Sequence, residues 1–101
     1  MQEFSEISPY EEAASEAVEL ANRLAGQDEG ADPSDIADGL LAGAVHYWLY
    51  SRQPCGNPAC EDCAGFSTSR ERVEELISLI REFAETSDYY HSPYDSDVGR
   101  A

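Results

Sequence analysis

The sequence predicts a small all-α protein: a three-helix bundle with a cysteine-rich metal-binding knuckle between its second and third helices. Apolar residues recur at helical spacing in three segments, and two of these segments open with a capping-box signature. All three cysteines fall between the second and third segments. With 101 residues the chain has the size of one domain. We expect a helical domain over residues 1–86 and a flexible, acidic, tyrosine-rich tail over residues 87–101.

The first helix is predicted to begin after Ser8. Ser8 is a suitable N-cap, Pro9 fits the first turn, and Glu11 completes a capping box. Apolar residues then follow at helical spacing as far as Ala25, and Gly26 is predicted to end the helix. These residues are Tyr10, Ala13, Ala14, Ala17, Val18, Ala21, Leu24 and Ala25.

The second helix is predicted to begin at Pro33, with Asp32 as its cap and further acid in the first turn, where the helix dipole favours negative charge. From Ile36 to Tyr50 it is apolar nearly all round. A helix without a polar face is typical of the buried centre of a bundle. Its two glycines, four residues apart, would let a neighbouring helix approach closely.

The third helix is predicted to begin after Thr68, which forms a second capping box with Glu71. An apolar stripe follows at helical spacing. It consists of Val73, Leu76, Ile77, Ile80, Phe83 and Ala84. The residues after the helix are polar and interrupted by Pro93 and Gly99, so we expect them to lie loosely on the surface or to be disordered.

The three cysteines have the spacing C-x4-C-x2-C, formed by Cys55, Cys60 and Cys63. Structural zinc sites use four tetrahedral ligands, commonly thiolates with up to two imidazoles. The C-x2-C pair lets one turn present two sulfurs to one ion, and Gly56 and Pro58 favour a tight loop that returns the first sulfur to it. The sequence therefore predicts zinc bound by the three cysteines.

A fourth zinc ligand is needed, and His46 is the best candidate because it precedes the knuckle on the second helix. His91 in the tail and a water molecule are alternatives. Three free thiols or an incidental disulfide also remain open for the cysteines. The same spacing occurs in plant-type ferredoxins, but those need a further cysteine downstream, and this chain has none.

Catalysis by the cysteines is not expected. A reactive cysteine needs a lowered pKa, whereas Glu61 and Asp62 lie between two of the thiols and a negative setting should raise their pKa. The chain also has no H-E-x-x-H pair, phosphate-binding loop or nucleophile elbow. We therefore expect a protein that is not an enzyme.

The charge is extreme: 21 acidic residues against six arginines and no lysine, a net charge of −15. Such a surface repels nucleic acid and anionic membranes, so we expect no direct binding to either. The longest uncharged stretch has 13 residues, from Gly39 to Ser51, which is too short for the ~20 that span a bilayer. The N-terminus has no signal-peptide pattern. These observations predict a cytoplasmic protein.

Two rows of glutamates carry the predicted function. Acids one helical turn apart stand about 6 Å from one another, which is close to the spacing of phosphates along a nucleic-acid strand. Such rows suit the basic surface of a partner protein, which could itself bind nucleic acid. The rows are Glu12, Glu16 and Glu19 on the first helix and Glu71, Glu75 and Glu82 on the third.

The leading hypothesis is thus a zinc-stabilised acidic interaction protein that binds a basic surface as a regulator or inhibitor. One alternative is a metal-dependent redox or catalytic protein that uses the cysteine cluster. Another is a salt-adapted domain whose charge serves solubility only. The apolar second helix also allows a homodimer.

Overall fold

The structure, a computed structural model, describes residues 7–57 and 59–94. They form three α-helices: α1 (Pro9–Gln27), α2 (Pro33–Ser51) and α3 (Ser69–Thr86). A single 3-10 turn, Glu61–Cys63, lies between α2 and α3, and the described residues contain no strand. The all-α class and the position of the cysteine knuckle between the second and third helices are confirmed. The chain divides into two units, Met1–Trp48 and Leu49–Ala101.

α1 begins with the predicted capping box. The Ser8 hydroxyl accepts a hydrogen bond from the Glu11 amide at 3.1 Å, and the Glu11 carboxylate accepts one from the Ser8 amide at 3.3 Å. The prediction that Gly26 ends the helix is wrong, because α1 continues to Gln27 and Asp28 is the C-cap. Glycine ends a helix through a positive φ, and Gly26 does not have one.

α2 begins at the predicted proline, and the Asp32 carboxylate accepts a hydrogen bond from the Ser34 amide at 2.9 Å. The expectation of a buried central helix is wrong, since α2 has no buried residue. Leu41 is 55% exposed and Tyr47 is 68% exposed. In the described part of the first unit, residues 7–48, α1 is the one other helix. A single neighbouring helix covers one stripe of α2 rather than its whole circumference.

The second unit holds both buried residues of the described chain, Cys63 and Leu76. α3 opens with the predicted capping box, in which the Thr68 hydroxyl accepts from the Glu71 amide at 3.1 Å. The rest of its apolar stripe is partly exposed, as Ile77 (49%) shows. Leu76 is thus the one member of the stripe that is buried in the described part of the chain.

Residues 87–94 follow α3 as exposed turns and bends. The Ser87 amide donates to the Ala84 carbonyl at 3.2 Å, and the Ser87 hydroxyl accepts from the Tyr89 amide at 3.1 Å. The remainder of the predicted tail lies outside the described residues. No helix in residues 7–57 and 59–94 combines the length and the apolar character needed to cross a membrane.

Candidate metal centre

The sulfurs of Cys55, Cys60 and Cys63 all lie within 4.8 Å of one another. Around a tetrahedral zinc ion with Zn–S bonds of about 2.3 Å, sulfurs stand about 3.8 Å apart. Small side-chain movements, of about 1 Å or less, would bring the three thiolates to that separation. Within the described residues, they form the one cluster of three or more ligand-type side chains that fits a metal ion.

The loop between the first two cysteines is shaped by a glycine and an asparagine. Gly56 has a φ of +92°. Glycine adopts this left-handed conformation readily, whereas residues with a Cβ atom rarely do. The Asn57 side-chain carbonyl accepts a hydrogen bond from the Ala59 amide at 3.0 Å, and its backbone carbonyl accepts one from the Cys60 amide at 3.0 Å. These bonds turn the chain sharply, so that Cys55 and Cys60 approach each other.

Cys63 is the innermost of the three and is held on two sides. The Cys55 amide donates to the Cys63 sulfur at 3.4 Å. The Cys63 carbonyl accepts from the Phe66 amide at 3.1 Å and from the Ser67 hydroxyl at 2.8 Å. An amide that donates to a ligand sulfur orients it and stabilises the thiolate form, as outer-shell partners of metal ligands do.

The knuckle runs directly into α3. Gly65, with a φ of +95°, makes the turn, and the Arg72 guanidinium donates to the Phe66 carbonyl at 3.0 Å. The Ser67 amide donates to the Glu71 carboxylate at 3.0 Å. The cysteine cluster is therefore fastened to the first turn of a helix. Ser67 and Arg72 take part in these contacts, and no motif or spacing in the sequence points to either residue.

The pKa values of two of the thiols move in opposite directions. Hydrogen bonds from Cys63, chiefly that of its side chain, lower the pKa of the Cys60 thiol. At Cys63 the amide of Cys55 acts to lower the pKa, but burial and the adjacent thiols of Cys60 and Cys55 outweigh it and the pKa is raised. The pKa of the Cys60 thiol thus moves in the direction opposite to the one expected from the negative setting, and the largest cause is the hydrogen bond with the Cys63 side chain.

The three sulfurs are brought together, but neither histidine belongs to their cluster. His46 is exposed on α2, in the first unit. His91 is exposed after α3, with its ring edge-on to that of Tyr90 at 4.8 Å between centroids. His46 as the fourth ligand, with His91 or water as the alternative, stays a prediction.

The two predicted glutamate rows lie on different units and differ in exposure. Glu12, Glu16 and Glu19 are all exposed on α1. On α3, Glu75 and Glu82 are exposed, while Glu71 is half-buried.

The carboxylate of Glu71 already has hydrogen-bond partners within the chain. It accepts hydrogen bonds from the Ser67 amide at 3.0 Å and from the Thr68 amide at 3.3 Å. Glu74, which the prediction omitted, lines a shallow surface pocket with Glu71 and Glu75. It also pairs with Arg70 at 3.3 Å. The acidic surface of α3 thus includes Glu74, and Glu71 serves first as a capping residue.

Comparison with known proteins found no matching family model, no matching curated protein and no matching solved structure.

Proposed function

We propose that this chain is a non-enzymatic interaction protein, in which a zinc ion bound by the cysteine cluster stabilises the fold and the acidic surface binds a basic partner as a regulator or inhibitor. The observation that carries the metal-binding part is the convergence of the Cys55, Cys60 and Cys63 sulfurs within 4.8 Å. The charge of −15 supports the second part.

Zinc is the metal that best suits this donor set. Thiolates are soft ligands that select zinc, copper(I) and iron–sulfur clusters over magnesium and calcium. The two buried residues of the described chain are one cysteine and one leucine, so apolar burial alone offers little stability to a chain of this size. A metal clamp is a common substitute for a large core in small domains. These points favour a structural ion.

The acidic surface favours a basic protein as the partner. α1 carries four exposed glutamates and a single basic residue, Arg23. A surface of this kind steers cationic partners toward it and repels polyanions. Binding through exposed charges is weakened by salt, because the Debye length falls from about 10 Å at 0.1 M to about 3 Å at 1 M.

Metal content is the first test, measured by elemental mass spectrometry on reduced protein with an absorption spectrum beside it. We expect about one zinc ion per chain and no visible absorbance. Cys63→Ser should lose the zinc, while the matched control Ala64→Ser, at the exposed neighbouring position, should keep it. Protein without metal, or with the same zinc content in both variants, would remove the zinc part of the proposal.

The fourth ligand is tested by zinc competition with a chromophoric chelator. His46→Ala should lower the zinc affinity, and His91→Ala should leave it unchanged. The opposite result would exchange the two histidines, and no effect in either variant would favour water.

Partner binding is tested by retention of basic proteins on the immobilised chain at physiological salt. We expect them to elute by about 0.5 M salt, where exposed charges are strongly screened. The variant Glu12→Gln/Glu16→Gln/Glu19→Gln should retain less. Retention that changes neither with the salt concentration nor with these substitutions would contradict an electrostatic interface.

A second candidate is a metal-dependent redox or catalytic protein. It is favoured by one observation: the ligand cluster found among residues 7–57 and 59–94 consists of three sulfurs. A metal held by three protein ligands keeps an open position that can take water or substrate. Iron with visible absorbance, or exchangeable water on the bound metal, would favour this candidate. A closed four-ligand zinc site would exclude it.

A further inference from the structure

α1 and α2 border an open groove within the first unit, with a volume of about 720 Å³. All of its lining residues belong to these two helices, from Ala13 to Leu24 on α1 and from Asp35 to Ala44 on α2. Ligand sites typically occupy about 300–1,000 Å³. The part of α2 that lines the groove, from Asp35 to Ala44, is about 14 Å long, or two and a half helical turns. We call it the α2 wall. The groove is thus long enough for a short segment of helix.

The surface of the groove is mostly apolar. Leu20, Leu24 and Leu40 contribute large side chains to it, and Leu24 remains 40% exposed. Gly39 and Gly43 also line it, one turn apart, and a Cβ added at either position would meet no atom within 4 Å. An occupant could therefore lie close to the α2 backbone and cover the leucines.

The charge around the groove indicates which occupant it suits. Glu16 and Asp35 line it together with Arg23. The described part of the first unit, residues 7–48, contains nine acidic residues and one arginine. A second copy would bring a like charge against this surface, which is unfavourable, whereas a cationic segment would be attracted. The apolar wall and the acidic surroundings together fit a basic amphipathic segment.

We propose that this groove binds an amphipathic α-helix of a basic partner protein, with apolar residues on one face and lysine or arginine beside them. Helices bind such grooves through anchors at positions i, i+3 or i+4, and i+7. These anchors span about 10 Å, which the α2 wall accommodates. The inference rests on the proposed function and specifies the part of the basic partner that is recognised.

The probe is a fluorescent synthetic peptide of about 18 residues, or five turns, in which leucines form one helical face and lysines the other. A second peptide of the same composition alternates leucine and lysine and so cannot form that face. Anisotropy titrations should show binding of the helical peptide and much weaker binding of the alternating one. Rising salt should weaken the binding.

The decisive variant is Gly43→Leu. Its side chain enters open space in the groove, and leucine favours a helix more than glycine does, so the fold should persist and the groove should be blocked. We expect about a ten-fold or larger loss of peptide affinity, from loss of at least one buried apolar contact. Ala42→Leu makes a similar change at an exposed position outside the groove and should bind as the unmodified chain does. Circular dichroism checks the helicity of both.

Equal affinity of the Gly43→Leu and Ala42→Leu chains, or equal binding of the two peptides, would overturn the inference. So would sedimentation showing a dimer that Gly43→Leu dissociates, because a second copy would then occupy the groove. The groove inference alone fails if basic proteins are still retained in a salt-dependent way while Gly43→Leu leaves the affinity for the peptide unchanged. If no basic protein is retained either, the proposed function fails with it.

Discussion

Each of the two units has its own kind of internal contacts, and the two kinds differ. In the first unit, the side-chain hydrogen bonds at Ser8, Asp28 and Asp32 reach only two or three residues along the chain. No residue of α1 or α2 is buried. In the second unit, hydrogen bonds join Cys55 to Cys63 and Phe66 to Arg72, over eight and six residues. Cys63 and Leu76, the two residues that are buried in the described part of the chain, lie there as well.

This difference shows how a small chain compensates for a small apolar core. Where the second unit is not helical, polar contacts and converging thiols hold the backbone, and a metal ion would complete that set. The first unit instead leaves an apolar groove open between two helices. The larger losses of stability are therefore expected from substitutions in the second unit, and the loss of peptide binding from substitutions in the first.

Metal removal should have the largest effect and should separate the two units. Structural zinc contributes about 10–16 kcal/mol of apparent binding free energy in zinc-finger peptides. Chelation should therefore abolish hydrogen-exchange protection from residue 59 to the start of α3, while protection in α1 changes little. Mass spectrometry of the exchanged peptides measures this, and added zinc should restore protection. Uniform loss in both units would mean that the comparison between them is wrong.

Leu76→Ala is expected to have the next largest effect. Leu76 is 9% exposed, and truncating a buried leucine costs about 2–5 kcal/mol. The matched variant Leu41→Ala, at a residue that is 55% exposed on α2, should cost less than about 1 kcal/mol. Urea denaturation in saturating zinc gives both values. Equal costs would show that α2 packs more tightly than its exposure indicates.

Glycine substitutions should have opposite signs in the two units. Gly65→Ala must adopt a φ of +95°, which costs about 1–2 kcal/mol for a residue with a Cβ. Gly26→Ala lies within α1 and would meet no atom within 4 Å, so it should gain about 0.5–1 kcal/mol. Thermal unfolding followed by circular dichroism measures both. A stabilising Gly65→Ala would show that the knuckle tolerates another turn.

The two capping boxes offer the smallest contrast. Glu71 accepts hydrogen bonds from both Ser67 and Thr68, whereas Glu11 accepts one from Ser8. A hydrogen bond typically contributes about 0.5–1.5 kcal/mol to stability, so Glu71→Ala, which removes two, should cost more than Glu11→Ala, which removes one. Chemical denaturation of the two variants is the measurement. A larger effect at Glu11 would contradict the idea that the Glu71 cap also supports the knuckle.

The sequence was sufficient for the features that depend on neighbouring residues. The two capping boxes, at Ser8 and Thr68, and the start of α2 at Pro33 were predicted as they occur. The all-α class followed from the three apolar periodicities. These signals act within one or two helical turns, where local hydrogen bonds and backbone preferences dominate. The cysteine spacing likewise indicates a cluster, since the three thiols lie within nine residues of chain.

The tertiary structure decided what depends on contacts between distant residues. It brought the three sulfurs within 4.8 Å of one another, engaged Glu71 as a cap for two amides, and left α2 without a buried residue despite its apolar sequence. Hydrophobic periodicity indicates which face of a helix is apolar and is stabilised by burial. Whether that face is covered depends on which elements pack against it, so the groove between α1 and α2 emerged only from their packing.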